Sequence, residues 1–323
     1  MKAPPRVPLA RLPTPLEPLD RLSDHWKGPR IWVKRDDLTG SLLTGNKVRK
    51  LEFCLGEAMA QGAKRVATCG GIQSNHCRAT AVACAQLGIA CTLFLRCEGA
   101  PASAKATAGR PGDVDGNHLL DVLVGADVRF VTPEEYRRLK PPEDAYWIPE
   151  GASNEVGMWG YLVACEELKE RKFAAIVHAV GSGGTTAGLV AGKALHDVEA
   201  PLVGVCVCDD AAFFYGKIES ILRAAAMRWP KLGNLPAAHG MVEIVDGFVG
   251  LGYAKNRPEE WHLLREVAER EGLVLDPVYT VKAMMALRQM IRDGRFKKGQ
   301  EVCFLHTGGI FGLFPKRAEA IER

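Results

Sequence analysis

The sequence predicts an α/β protein of two lobes, each a mostly parallel, open, twisted sheet with helices on both faces. Three observations carry this prediction. Short apolar runs recur along the chain, helical patterns separate most of them, and glycine-rich turns join several strand ends to helix starts. The chain has 323 residues, 47% of them apolar, enough to fill two cores of ordinary domain size.

After a proline-rich arm, the first strand candidate is IWVKRD at 31–36. RVATCG at 65–70, ACTLFL at 90–95 and DVRFVT at 127–132 follow, and then AAIVHAV at 174–180, LVGVCV at 202–207 and EVCFLHT at 301–307. Helical stretches between them favour parallel strands joined by crossovers. Gly, Pro, Ser and Asn interrupt the pattern at 148–157, IPEGASNEVG, and predict a lobe boundary there. The segment 100–116 is rich in glycine and poor in large apolar residues and reads as a surface loop.

A formal net charge of +4, with 25% charged residues and no dense Lys/Arg cluster, gives no field to recruit nucleic acid or an anionic membrane, so a small-molecule partner is expected. The ten cysteines lie mostly in apolar runs and form no C-x-x-C pair, so they read as reduced core residues and not as metal ligands. The N-terminal stretch lacks the apolar segment of a signal peptide, and no apolar run approaches the roughly 20 residues of a membrane span. A cytoplasmic location is the expectation.

Chemistry concentrates in a few segments. TGNKVRKLE places Lys47 at a helix start after a Gly-Asn turn, with Lys34, Arg35 and Lys50 near in sequence. Cationic neighbours and burial favour a neutral amine, the form that imine chemistry needs; a solvated helix-start lysine is the competing reading. GGIQSNH runs from a strand end into an Ala-rich helix, where Ser74 and Asn75 with free N–H groups suit a carboxylate or phosphate, or serve as simple caps. His76 reads as a half-buried helix residue in preference to an acid or base. In GSGGTTAG, Gly181, Ser182, Gly183, Gly184 and Thr185 bring main-chain N–H groups and hydroxyls to one point, a cradle for a phosphate monoester. Tyr253, Tyr279, Thr280 and Thr307 stand late in the chain, Thr307 at a strand end before paired glycines, where open α/β sheets bind ligands.

Rival phosphate motifs fit less well. Only three residues separate Gly188 from Gly192-Lys193, and Ala194 follows, so a P-loop fails. Thr186 stands where a dinucleotide fingerprint needs Gly or Ala, which weakens an NAD(P) reading even though Asp209 and Asp210 suit a ribose-binding acid.

Taken together and in order, KRDDLTG, GNKVRKLE, GGIQSNH, GSGGTTAG, LDPVYT and HTGG resemble the D-cysteine desulfhydrase and 1-aminocyclopropane-1-carboxylate (ACC) deaminase family, over about Leu12 to Gly312. The resemblance implies pyridoxal 5'-phosphate (PLP) fold type II, with a large PLP-binding domain from 1–50 and 154–323, a small domain from 51–153, and a homodimer. It implies that Lys47 carries PLP as an imine and that Gly181, Ser182, Gly183, Gly184 and Thr185 hold its phosphate. Asn75 would approach the ring hydroxyl and Thr307 the pyridine nitrogen. Ser74, Asn75 and His76 would receive the substrate carboxylate, and Tyr253, Tyr279 and Thr280 would flank the substrate, with Ser74, Tyr253 and Tyr279 joining Lys47 in catalysis. Thr44 departs from the pattern, where a second glycine is usual.

Within the family, ACC deaminases resemble one another in having Glu at the position of Thr280, Leu at that of Thr307 and Gln at that of His76. All three fall on the desulfhydrase side here. The resemblance therefore implies α,β-elimination from a small amino acid, D-cysteine first, with L-cysteate, D-serine and, less favoured, ACC as alternatives.

Overall fold

The computed structural model describes residues 2–97 and 114–322. Its strands are β1 (Leu16–Pro18), β2 (Arg30–Arg35), β3 (Arg65–Gly71), β4 (Ala90–Arg96), β5 (Asp127–Val131), β6 (Tyr146–Trp147), β7 (Ala175–Val180), β8 (Leu202–Cys206), β9 (Val242–Val245) and β10 (Glu301–His306). Every strand expected from the sequence is present to within a residue at each end; β1, β6 and β9 are additions. The loop expected over 100–116 lies outside the described residues as far as 113, and Gly116 already opens the helix Gly116–Leu123.

Two sheets form. A six-stranded sheet has the order β1-β2-β10-β7-β8-β9, with β1 antiparallel and every other pair parallel. A four-stranded parallel sheet has the order β5-β4-β3-β6. Strands from 65–147 thus make the small sheet, and those before 36 and after 174 make the large one.

The large sheet is covered on both faces, as its near-continuous apolar strands require. On β7, Ala175, Val177 and Ala179 enter one core, while Ile176 and Val180 enter the other. β10 divides in the same way, Val302 and Phe304 against Cys303 and Leu305. The second of these cores continues without a break through Leu51, Leu55 and Trp159 to Val66 and Leu93 of the small sheet. Among the described residues no disulfide links the ten cysteines, most of which are buried. No helix among the described residues is long and apolar enough to cross a membrane.

A set of buried charges ties the end of β2 to the helix Asn46–Ala60. Arg49, 1% exposed, donates through Nε and Nη2 to both oxygens of Asp36 at 2.8 Å and through Nη1 to Glu167 at 2.6 Å. Lys34 pairs with the other oxygen of Glu167 at 2.6 Å, and the hydroxyls of Thr14 and Tyr161 donate to Asp36. Burial pushes Asp36 up, but the Arg49 charge and these donors outweigh it and hold the carboxyl below its ordinary range. Two cations and two carboxylates thus neutralise one another beneath the helix Asn46–Ala60.

Candidate active site

Lys47 sits in the first turn of the helix Asn46–Ala60, on a cavity of about 550 Å³. The turn before it depends on close backbone packing. Gly45 has φ +99°, and a Cβ there would lie 2.8 Å from the carbonyl oxygen of Thr307, so only glycine fits. The Asn46 amide donates to that same oxygen at 3.1 Å, which docks the end of β10 onto the Lys47 turn. Thr44 needs no glycine: its φ is not left-handed, and its hydroxyl donates to the carbonyl of Asp37. Lys47 Nζ lies 3.1 Å from Asn46 Oδ1 and 5.8 Å from the centre of the Tyr279 ring. Burial lowers its pKa to about 8, against the opposing pull of Asp276 and Glu150 and with a smaller push from Arg78. A neutral amine is therefore accessible near physiological pH.

The glycine loop after β7 runs directly into a helix. Gly183, φ +83°, caps the helix Gly184–Leu195 and turns the helix N-terminus towards the cavity, which Gly181, Ser182, Gly183 and Thr185 line. Space is tight: a Cβ at Gly184 would lie 2.8 Å from Ser153 Cα, and one at Gly181 2.8 Å from Tyr279 Cε1. Thr185 Oγ1 accepts from Asn46 Nδ2 at 3.1 Å, joining the cradle to the Lys47 turn. Ser153 and Lys50 complete it. Ser153 Oγ lies 2.7 Å from Ser182 Oγ and accepts from the Gly184 amide at 3.2 Å and from Lys50 Nζ at 3.4 Å. Burial, then the Lys47 charge, holds Lys50 well below its ordinary pKa, and an anion beside it would restore the ammonium.

Across the cavity, Ser74 caps the helix Asn75–Leu87, its Oγ accepting from the Cys77 amide at 3.2 Å. The amides of Asn75 and His76, in the first turn, have no intrahelical acceptor. The His76 ring is otherwise engaged. Thr68 Oγ1 donates to the Ile148 carbonyl at 2.7 Å, so its contact with His76 Nε2, also 2.7 Å, makes Nε2 the donor. Burial first, and then Lys47 and Lys50, keep the imidazole neutral, leaving Nδ1 without a proton. A carboxylate can thus take the His76 main-chain N–H but not its ring.

The two tyrosines meet. Their hydroxyls are 2.6 Å apart and their rings cross at 72°. Thr280 departs from expectation: it is fully buried, outside the cavity lining, and its Oγ1 donates to Asp276 Oδ1 at 2.7 Å. The Asp276 carboxylate also accepts from the amides of Val278, Tyr279 and Thr280, so this cluster caps the helix Thr280–Arg292 that presents Tyr279. Thr280 supports the site from behind and does not touch its contents. Thr307 lies on the cavity wall at the end of β10, its hydroxyl without a hydrogen bond among the described residues.

Several residues of the site were not singled out by the sequence. Ser153 and Glu150 hide in the turn-rich stretch that reads as a lobe boundary; Lys50 stands out only as the lysine one helical turn after Lys47. Arg96, Phe213 and Lys217 also line the cavity. Of the two acids raised for a dinucleotide, Asp209 lines the cavity and Asp210 caps the helix Ala211–Arg228.

These groups fit PLP. The cradle offers the helix N-terminus, the hydroxyls of Ser153, Ser182 and Thr185 and a buried lysine for a phosphate; Lys47 offers an amine of lowered pKa for the aldehyde; Asn75 and Thr307 offer polar groups to a ring between them. A family pattern described as pyridoxal-phosphate dependent enzyme matches residues 7–308. A Thermotoga maritima protein provisionally named an ACC deaminase is 43% identical, over 96% of this chain and 97% of its own length. The mitochondrial bifunctional D-cysteine desulfhydrase/ACC deaminase of Arabidopsis thaliana is 39% identical, over 95% of this chain and 79% of its own. A crystal structure of an ACC deaminase homologue superposes with a TM-score of 0.84 at 34% identity, covering 98% and 96% of the two chains. Motifs, site geometry and relatives converge: the chain belongs to the pyridoxal-phosphate dependent enzymes, as a PLP-dependent lyase of fold type II in the D-cysteine desulfhydrase and ACC deaminase family.

Proposed function

We propose that the chain converts D-cysteine and water to pyruvate, hydrogen sulfide and ammonia by α,β-elimination. The observation that carries this reading is the pair of phenols, 2.6 Å apart, on the same cavity as Lys47. PLP, when bound, supplies the electron sink that makes the Cα proton removable. The chain's own residues do the rest. Lys47 Nζ, titrating near 8, is the group matched to accept that proton. Desolvation in the cavity raises the Tyr253 hydroxyl to about 12, although its side chain as a whole is 39% exposed, and raises Tyr279 well above its ordinary value, so both phenols stay protonated and act as donors. One O–H is used between them, and the other is free for the departing sulfur, which leaves Cβ with its bonding electrons. The Ser74 hydroxyl and the amides of Asn75 and His76 bind the carboxylate and orient Cα. Water then hydrolyses the released enamine to pyruvate and ammonia.

Thr307 and Thr280 favour D-cysteine over ACC, by likeness to desulfhydrases, and the Arabidopsis thaliana relative carries both activities in its name. One observation favours a second reading: Arg96 and Lys217 line the cavity, and a second cation would suit the sulfonate of L-cysteate. The test is a substrate panel of D-cysteine, L-cysteate, D-serine and ACC, scored for sulfide, sulfite, pyruvate and 2-oxobutyrate. Sulfide with equimolar pyruvate from D-cysteine is the expected result. Sulfite as the dominant product moves the assignment to L-cysteate, and 2-oxobutyrate as the dominant product overturns elimination in favour of ring opening. The same reading, by family resemblance, has the enzyme work as a cytoplasmic homodimer.

A further inference from the structure

An asparagine side chain presents an acceptor on one side and donors on the other, and rotation exchanges them. At Asn75 the choice is made from a distance. Arg78, on the same helix and wholly buried, can only donate. Its Nε meets Asn117 Oδ1 at 3.2 Å, its Nη2 the carbonyl of Thr44 at 3.0 Å, and its Nη1 the carbonyl of Leu42. Because Asn117, also wholly buried, must turn its oxygen to Arg78, its amino group faces the other way. There it donates to the Gln73 carbonyl at 3.0 Å and to Asn75 Oδ1 at 2.9 Å. Asn75 therefore uses its oxygen inward. Its Nδ2 is left beside Gly309, where a Cβ would lie 3.1 Å away, with no acceptor among the described residues.

We propose that Arg78 and Asn117 are positioning residues: they fix Asn75 as a hydrogen-bond donor towards the cofactor, while the same guanidinium clamps the 42–44 loop that leads into Lys47. The inference rests on the reading that Asn75 faces the PLP ring hydroxyl. A ring oxygen carrying negative charge needs a donor at this point, and an amide turned the other way would offer it a second acceptor. Loop and amide are set by one buried side chain, so the lysine and its facing donor keep a fixed relation.

Asn117→Asp tests the relay. The carboxylate still accepts from Arg78, but it cannot donate to Asn75, whose amide must then turn its oxygen to the cavity. The affinity of the apoenzyme for PLP, followed by protein fluorescence, falls about tenfold, the effect of one such hydrogen bond, and the visible band of the reconstituted protein shifts. Asn75→Ala weakens PLP by a similar factor, and the double variant is no weaker than Asn75→Ala alone. If Asn75→Ala binds PLP as the unaltered protein does, the reading of Asn75 is wrong and the relay falls with it. If Asn75→Ala weakens PLP but Asn117→Asp leaves affinity and band unchanged, only the relay is wrong. Full additivity of the two losses also overturns it, since Asn117 would then act by another route. Should Asn117→Asp not accumulate as folded protein, Asn117→Ser, whose short hydroxyl cannot span from Arg78 to Asn75, is scored by the same outcomes.

Discussion

Lys47 changes its chemistry over a narrow pH range, because burial outweighs the nearby acids and brings its amine to about 8 from an ordinary 10.5. A depressed lysine gains its neutral form as pH rises through the lower value. The initial rate at which apoenzyme and PLP develop the lysine-dependent absorbance band should thus rise with a midpoint near 8; a midpoint near 10.5 would contradict the burial argument. Residue identity alone carries less than this. Lys47, the glycine loop and Thr307 were legible because sequence order predicts where a strand ends and a helix begins, and ligands bind at such junctions. Thr280 misled: its type marks a branch of the family, but its hydroxyl is turned into the Asp276 cap, and rotamer direction is not written in a motif. Ser153 and Lys50 escaped because they converge on the cradle only after two lobes pack, from 103 positions apart.

One element-scale device holds the two phenols in register. The helix Thr280–Arg292 carries Tyr279 at its start and, less than one turn on, the fully buried Lys282. Lys282 Nζ lies within hydrogen-bonding distance of the carbonyls of Val249, Gly252 and Lys255, which bracket Tyr253, and of Glu260 at 3.4 Å, and shares its three protons among them. Lys282→Met removes the cation and leaves those acceptors buried without a donor, at a cost of about 3 kcal/mol. A lower thermal midpoint and a loss of turnover exceeding the loss of PLP binding are expected; unchanged turnover would show that the Tyr253 turn needs no such tether. Strand identity was legible for β7, β8 and β10, whose apolar runs fill both faces of a sheet. It was not for β1, β6 and β9, of three, two and four residues, too short to display a period of two.

At the scale of the molecule, acid is the expected weak point. His178, wholly buried in the middle of β7, holds Thr186 Oγ1 at 2.9 Å from its Nε2, and burial pushes its pKa down to about 4. Between about 6.5 and about 4 the unfolded chain takes up this proton and the folded one does not, so stability is full above that window and falls within it by up to about 3 kcal/mol. His76 acts in the same direction. Urea midpoints compared at neutral pH and near pH 4.5 should show the loss, and His178→Gln should flatten it; an unaltered slope in the variant would sink the assignment. The insertion of β10 between β2 and β7 was not legible from spacing, since it pairs residues 271 apart (Glu301 with Arg30) and 127 apart (Val302 with Ala175). The balanced charges of Lys34, Asp36, Arg49 and Glu167 belong to this scale too, because they join the end of β2 to the helix Asn46–Ala60 and to the turn Cys165–Glu167 far along the chain. Their closure constrains how the sequence can drift. Replacing any one of the four strands a net charge in the core, whereas replacing an oppositely charged pair does not. Tolerated changes at these positions should therefore come in compensating pairs, and a library randomised at all four should yield folded clones whose buried charge sums to zero.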